Sequence, residues 1–118
     1  TIKPLVSRPR PFLTYPELTN LVEQGGYSFP SAHAMSSFAA ATVFYLFFRK
    51  NGHTAYSVPA LILAALIALS LLYVCVHYPS DVLCGTLLGI VIAVISVWLI
   101  KHSKVLRRNM QEDFPHEK

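Results

Sequence analysis

Three long apolar segments limit what this chain can fold into more than any other feature of its sequence. They cover residues 31–48, 58–76 and 82–100, and Asp81 is the only formally charged residue between Lys50 and Lys101. A helix of about 19 residues rises roughly 28 Å, close to the ~30 Å thickness of a bilayer's hydrocarbon core. Soluble helices carry a polar face, which the second and third segments almost lack. The sequence therefore predicts three transmembrane helices rather than three buried helices of a soluble core.

Composition and the placement of charge favour a membrane protein over other classes. Hydrophobic residues make up 53% of the 118 residues and charged residues 14%, against roughly 25% charged in an ordinary soluble domain. A disordered chain needs low hydrophobicity and high charge, so that class is excluded. The net charge is +4, but the basic residues separate apolar runs instead of spreading along one face, as in nucleic-acid binders. We expect the bilayer as a partner and no nucleic acid.

The order of the segments predicts one all-α membrane bundle over residues 1–118. Residues 1–30 are rich in proline and are expected to form an outer loop, while residues 101–118 form a charged tail. The loops between the apolar segments are short, with a turn signal at Asn51-Gly52 and a break at Pro79. Short loops join antiparallel neighbours, so we expect an up-and-down arrangement of the three spans. The sequence does not define an oligomeric state.

The positive-inside rule orients this bundle. Basic residues end the first span at 49–50 and follow the third span at 101–108, so both ends are assigned to the cytoplasm. The opposite ends then share the outer side with the loop before the first span. That loop holds three further cations, Lys3, Arg8 and Arg10, which the rule disfavours there. Contact with anionic lipid headgroups is the simpler explanation for these cations, and binding of a phosphate group is the more specific one.

Four side chains suited to phosphate chemistry collect at the same outer edge. Ser31 and His33 begin the first span. His77 follows the second span, and Asp81 begins the region of the third. A serine-capped helix N-terminus binds phosphate oxygens, and a histidine beside a carboxylate becomes a basic nucleophile. The structural alternatives stay open: Ser31 as a plain cap, His33 as a solvated interfacial residue, and Asp81 as a helix cap or a loop-holding partner of His77.

The two cysteines, Cys75 and Cys84, carry no metal-ligand spacing. We interpret them as small buried hydrophobes, with a disulfide between them as the weaker alternative. The chain begins at Thr1 and shows no signal-peptide pattern. We therefore expect it to be part of a longer protein or a processed one.

These residues fall into three motifs whose order and spacing resemble the signatures of the type 2 phosphatidic acid phosphatase (PAP2) superfamily. The first, lysine, six residues, then Arg-Pro, is matched by Lys3 and Arg10-Pro11. The second, Pro-Ser-Gly-His, is matched by 30–33 with Ala32 in place of glycine. The third, Ser-Arg, five residues, histidine, three residues, aspartate, is matched at Ser70, His77 and Asp81.

The resemblance implies a phosphatase that works without metal or other cofactor on a lipid phosphate. His77 is implied to attack phosphorus and form a phosphohistidine, with Asp81 orienting it. His33 is implied to protonate the leaving oxygen and then to activate water. The implied phosphate ligands are Lys3, Arg10, Ser31 and the N–H of Ala32. Membrane members of the superfamily have six spans, and this chain resembles the last three.

Two departures from the family pattern affect these expectations. Ala32 keeps its backbone N–H, so its replacement of glycine is mild. Leu71 stands where the family has an arginine that contacts phosphate, and losing such a charge-assisted bond costs a few kcal/mol of transition-state stabilisation. Arg8 is a candidate substitute. The alternative to an active phosphatase is therefore a catalytically impaired relative that binds lipid phosphates.

Two other functions fit the sequence less well. The superfamily also contains vanadate-dependent haloperoxidases, but those are soluble, and three apolar spans argue against them. A purely structural membrane bundle does not explain three spaced motifs on one face. The resemblance favours a lipid substrate at the outer face of the plasma membrane: phosphatidic acid, phosphatidylglycerophosphate or undecaprenyl diphosphate.

Overall fold

A computed structural model of the chain describes residues 3–18 and 25–113, with the side chains of Lys3, 105–107 and 109–113 left out. Within this part of the chain the structure is all-helical, as predicted, and contains no strand. Two one-turn helices lie in the loop before the first apolar segment, and a 3-10 turn at Thr54–Ser57 leads into the second long helix. The helices are α1 (Lys3–Val6), α2 (Pro11–Thr14), α3 (Ala32–Lys50), α4 (Val58–Tyr73) and α5 (Pro79–Asp113).

Among the described residues, two helical stretches rather than three are long and apolar enough to cross a membrane. They are Thr54–Tyr73 and Pro79–Lys104, and 17% of the most apolar window of each is buried. Their apolar side chains thus face mainly outward, as expected of helices in lipid. The first predicted span coincides with α3, which carries more polar residues. The hydroxyls of Ser37 and Thr42 in α3 donate to carbonyls of their own helix.

The ends of the second and third predicted spans differ from the observed helices. The second was expected to reach residue 76, but α4 ends at Tyr73 because the chain turns at Cys75, whose φ is 54°. The third was expected to cover 82–100, but α5 begins at Pro79 and continues to Asp113. Proline suits the first position of a helix, and 101–113 contains neither glycine nor proline to stop it.

Close packing of α3 against α5 brings their first turns together. A Cβ added to Gly85 would lie 2.5 Å from the carbonyl oxygen of Ser31, and one added to Gly89 would lie 2.2 Å from that of Met35. Two glycines four residues apart thus form a flat strip on α5 against which the α3 backbone rests, as small residues do in membrane helix pairs. The backbone N–H of Ser31 donates to the carbonyl of Asp81 at 3.1 Å.

A small apolar cluster lies next to the junction of these helices. Its buried members come from α3, α4, the turn after α4 and α5: Ala34, Leu71, Val76 and Val82. Phe12 of α2 packs against it from the preceding loop. The thiols of both cysteines are free, so the disulfide alternative is not observed, and each cysteine is partly rather than fully buried.

Candidate active site

Asp81 is the centre of a polar network at the start of α5. It is completely buried, and its Oδ2 accepts the backbone N–H of Tyr78 at 3.0 Å. An acidic side chain in the first turn that accepts such an N–H is a helix cap. The capping alternative for Asp81 is therefore confirmed. The capping bond goes to Oδ2. The remaining hydrogen bonds of the carboxylate come from side chains.

Arg8 forms an ion pair with the other carboxylate oxygen. Its Nη1 donates to Oδ1 of Asp81 at 2.8 Å and to Oγ of Ser80 at 2.7 Å. Its guanidinium lies 4.0 Å from the centre of the Tyr78 ring, and the hydroxyl of that tyrosine donates to Oγ1 of Thr14 at 3.2 Å. The contact of a planar guanidinium with an aromatic ring favours arginine over lysine here. Arg8, expected to replace a phosphate ligand, is thus found bound to a protein carboxylate.

His77 lies beside Asp81 but is bridged to it by a residue the motifs did not include. Its Nδ1 is 3.8 Å from Oδ2 of Asp81, which is too long for a hydrogen bond. The hydroxyl of Ser28 lies between them, 3.3 Å from Nδ1 and in a short hydrogen bond to Oδ2. Both Ser28 and His77 are buried.

Arg10 is held by three backbone carbonyls. Its Nε donates to Gly26 at 3.1 Å, its Nη2 to Gly25 at 3.0 Å and its Nη1 to Val76 at 3.0 Å. These bonds use three of the five N–H donors of a guanidinium and tie the loop around 25–26 to the residue before His77. Burial lowers the pKa of Arg10, while the Asp81 carboxylate opposes the shift. The ordinary pKa of arginine is so high that the group stays charged.

The second motif begins α3 as the sequence predicted. Ser31 is the N-cap, and its Oγ accepts the N–H of Ala34 at 3.4 Å. Ala32 and His33 are exposed on the first turn. The His33 side chain takes no part in the hydrogen bonds around Asp81 among the described residues, although its turn is bonded to α5 through Ser31.

Two positions of the family pattern remain, Lys3 and Leu71. The side chain of Lys3 lies outside the described part of the chain, so its expected contact with phosphate stays a prediction. Leu71 packs in the apolar cluster with Val76 and Val82, the neighbours of His77 and Asp81. The position at which the family pattern has arginine is therefore apolar in this chain and adjoins the polar network.

Ser28 is the site residue that sequence reasoning missed. It lies 49 positions from His77 and 53 from Asp81, so no local spacing relates them. It stands in a loop segment among tyrosine, phenylalanine and proline, where a serine suggests only a turn. Only the folded structure reveals its role: its N–H donates to the carbonyl of Arg8 at 2.9 Å, and its hydroxyl contacts His77 and Asp81.

The described side chains leave this site with an excess of positive charge. Arg8 forms an ion pair with the one carboxylate, Asp81, and Arg10 interacts with it electrostatically. A buried cation in excess favours a bound anion, because charges removed from water need a partner of opposite sign. The charge, the helix N-terminus at Ser31 and the buried histidine together define a site that suits an anionic ester.

The family of the chain follows from its three motifs and from comparison with known proteins. The model of the PAP2 superfamily matches residues 1–104. The chain belongs to the PAP2 superfamily.

Similar proteins include one named as a permease and one named as a lipid phosphatase. The chain is 36% identical over 95 residues to a protein named bacitracin transport permease protein BcrC from Bacillus licheniformis, covering 80% of this chain and 44% of that protein. It is 33% identical over 94 residues to a lipid A 4'-phosphatase from Bacteroides thetaiotaomicron, covering 75% and 40%. The chain thus spans less than half the length of these curated relatives.

A solved structure supports the same fold. A transmembrane PAP2-type phosphatidylglycerolphosphate phosphatase from Bacillus subtilis superposes with a TM-score of 0.72 at 27% identity, over 86% of this chain and 51% of that one. That relative is described as transmembrane, and two helices of this chain are apolar enough to span a bilayer. Both observations support membrane association of this chain.

Proposed function

We propose that this chain carries the catalytic site of a membrane lipid phosphatase that forms a phosphohistidine on His77. The observation that carries the proposal is the buried set of His77, Ser28 and Asp81, next to two guanidinium groups at the joined first turns of α3 and α5. Membership of the PAP2 superfamily and the names of its relatives support a lipid phosphate as substrate. The candidate substrates are phosphatidic acid, phosphatidylglycerophosphate and undecaprenyl diphosphate.

In the first step, Nε2 of neutral His77 attacks the phosphorus atom of the lipid phosphate. The new P–N bond forms as the P–O bond to the lipid breaks, and the electron pair of that bond leaves with the lipid oxygen. His33, on the exposed first turn of α3, donates a proton to that oxygen as general acid. The products are the dephosphorylated lipid and a phosphoryl group on His77.

In the second step, water attacks the same phosphorus atom. His33, now neutral, accepts a proton from the water as general base. The P–N bond breaks, its electron pair returns to Nε2 of His77, and inorganic phosphate leaves. The chain supplies a nucleophile and an acid–base group, so we expect the reaction to need no metal.

The phosphate oxygens are proposed to bind at the start of α3 and beside the first motif. The Ser31 hydroxyl and the Ala32 N–H lie at the N-terminus of a 19-residue helix, where donors and the helix dipole favour an anion. Arg10 and Lys3 would supply cationic donors. Arg8 would act mainly through Asp81, since its Nη1 is bonded to that carboxylate.

We also propose three spans, with α3 as the first, and a site on the outer side of the plasma membrane. The basic residues at 49–50 and 101–108 support cytoplasmic ends for α3 and α5. Coverage of 51% of the solved relative is consistent with a six-span protein of which this chain forms the second half. A site at the outer ends of the spans lies at headgroup depth, which suits a lipid substrate.

The test is phosphate release by the purified full-length protein from phosphatidic acid and from undecaprenyl diphosphate, in EDTA. We expect release from at least one lipid, and loss of release in His77→Ala. Release that persists in His77→Ala would contradict the nucleophile, and release that stops in EDTA would contradict metal independence. The ratio of the two rates identifies the preferred substrate class.

A second candidate, a lipid-phosphate-binding relative with impaired turnover, is favoured by one observation. Leu71 fills the position of the family arginine with a buried apolar side chain. Retention of His33, His77 and Asp81 favours the enzyme, because a protein that only binds phosphate has little use for a nucleophile. Binding of both lipids without phosphate release would support the second candidate.

A further inference from the structure

We infer that Ser28 is a positioning residue that connects His77 to Asp81 and sets the tautomer in which His77 acts. This inference rests on the proposed function for its kinetic consequence. Its structural part, a hydrogen-bonded chain from imidazole through hydroxyl to carboxylate, is independent of turnover. The motifs contain no residue for this role, and the geometry assigns it to Ser28.

The distances require an intermediate group. Nδ1 of His77 is 3.8 Å from Oδ2 of Asp81, beyond hydrogen-bond range. The Ser28 hydroxyl contacts both atoms, at 3.3 Å from Nδ1 and in a short bond to Oδ2. Ser28 is completely buried and its backbone N–H donates to the carbonyl of Arg8 at 2.9 Å, so the hydroxyl is held in place.

The number of hydrogens available to His77, Ser28 and Asp81 determines which atom carries each of them. A serine hydroxyl has one hydrogen and two lone pairs. Asp81 is paired with Arg8 at 2.8 Å and accepts the Tyr78 N–H, so it is a carboxylate with no proton to give, and Ser28 donates its hydrogen to Oδ2. Ser28 can then only accept from the histidine. Nδ1 of His77 must therefore carry the hydrogen.

That arrangement prepares His77 as a nucleophile. A neutral imidazole with hydrogen on Nδ1 keeps its lone pair on Nε2, the atom proposed to attack phosphorus. The same chain of bonds stabilises the positive charge that the ring acquires as the P–N bond forms, because the Asp81 charge acts through the hydroxyl dipole. In Ser28→Ala, Nδ1–H loses the Ser28 oxygen as an acceptor, and Asp81 loses the Ser28 hydroxyl as a donor.

The experiment compares three variants of the full-length protein in detergent or nanodiscs. Ser28→Ala removes the hydroxyl, whereas Ser28→Thr keeps a hydroxyl and adds one methyl group. Ser57→Ala is the matched control, because Ser57 is also fully buried and donates to a carbonyl, that of Thr54 at 2.6 Å, in the turn before α4. Two experiments are done on each protein: steady-state kinetics, which give kcat and KM for the preferred lipid, and nitrogen-15 NMR, which gives the tautomer of His77, assigned with His77→Gln.

We expect Ser28→Ala to lower kcat by on the order of 10- to 100-fold, as for other groups that orient a functional histidine, with KM changed less than about threefold. Ser28→Thr should recover part of the rate, and Ser57→Ala should match the unmodified protein. If Ser28→Thr fails to fold, the comparison of kcat between Ser28→Ala and Ser57→Ala tests the inference. Unchanged kcat in Ser28→Ala would overturn the inference.

The NMR readout separates this inference from the proposed function. We expect the hydrogen of His77 on Nδ1 in the unmodified protein and a shift towards Nε2 in Ser28→Ala. If the unmodified protein releases no phosphate, the proposed function fails, while this tautomer pattern still supports the Ser28 connection. A hydrogen on Nε2 in the unmodified protein, or the same tautomer in both, would overturn it.

Discussion

At the scale of single residues, the Asp81 side chain connects three parts of this site. It is completely buried, and a buried carboxylate is costly unless it is paired and hydrogen-bonded. Arg8, Ser28 and the N–H of Tyr78 supply those partners. Asp81 thereby caps α5 and joins the first-motif loop to His77, so its capping and its proposed catalytic role are compatible.

Leu71→Arg tests whether the apolar side chain at this position limits turnover. The new guanidinium would extend from between Val76 and Val82 towards the adjoining phosphate site. One charge-assisted hydrogen bond is worth about 1.5–3 kcal/mol, so we expect kcat to rise by roughly tenfold or more. The measurement is phosphate release at saturating lipid.

Leu71→Met, which nearly conserves volume, is the control and should leave kcat unchanged. A folded Leu71→Arg protein with kcat at or below that of Leu71→Met would show that the arginine position no longer reaches the phosphate.

Cys75→Gly should stabilise the protein. Cys75 lies just after α4 with φ of 54° and donates its N–H to the carbonyl of Leu72 at 3.1 Å. A left-handed residue after a helix is usually glycine, and other residues lose roughly 1–2 kcal/mol there. We expect a higher Tm in detergent for Cys75→Gly. Cys84→Gly, within helix α5, should lower Tm. A change in Tm of the same sign in Cys75→Gly and Cys84→Gly would contradict this explanation.

At the scale of elements, the sequence predicted the helices better than their ends and their packing. The apolar runs located α3, α4 and α5, and the cap at Ser31 was read correctly from its position before the first run. The end of α4 was missed because a cysteine occupies the left-handed position where glycine would have signalled a stop. Helix α5 ran past the expected end at residue 100 because no breaker follows it.

Site contacts between residues close in sequence were predictable, and those between distant segments were not. His77 and Asp81 are four residues apart, and that spacing suggested their proximity. Ser28 lies in a different segment and reaches them only through tertiary folding, so no spacing could reveal it. Arg8 was assigned to phosphate because sequence shows a charge and not its partner, and the structure pairs it with Asp81.

Gly89→Ala tests whether the α3–α5 contact positions the site. A Cβ at Gly89 would meet the Met35 carbonyl at 2.2 Å, so the helices must separate. Overpacking of this kind costs about 1–3 kcal/mol, and we expect a lower Tm together with lower activity. Gly25→Ala is the control, since no atom of the described residues lies within 4 Å of an added Cβ there. Equal Tm values for the two variants would contradict a close helix contact.

At the scale of the whole molecule, the placement of the basic residues at 49–50 and 101–108 predicts a fixed orientation in the membrane. In a background without the native cysteines, Tyr15→Cys in the first-motif loop and Asn51→Cys after α3 are both exposed positions. A membrane-impermeant maleimide should label Tyr15→Cys in intact cells. It should label Asn51→Cys only after permeabilisation, because the basic residues at 49–50 favour the cytoplasm. The reverse pattern would place the site inside.

The central claim is that His77 takes the phosphoryl group from the substrate. The direct measurement is mass spectrometry of peptides from the full-length protein quenched at alkaline pH during turnover of an aryl phosphate. A good leaving group reduces the need for acid in the first step, so His33→Ala should accumulate the intermediate. We predict a phosphoryl group on His77 in His33→Ala and none in the double variant with His77→Ala. A phosphoryl group on another residue, or phosphate release by His33→Ala at the unmodified rate without any modified peptide, would contradict the account.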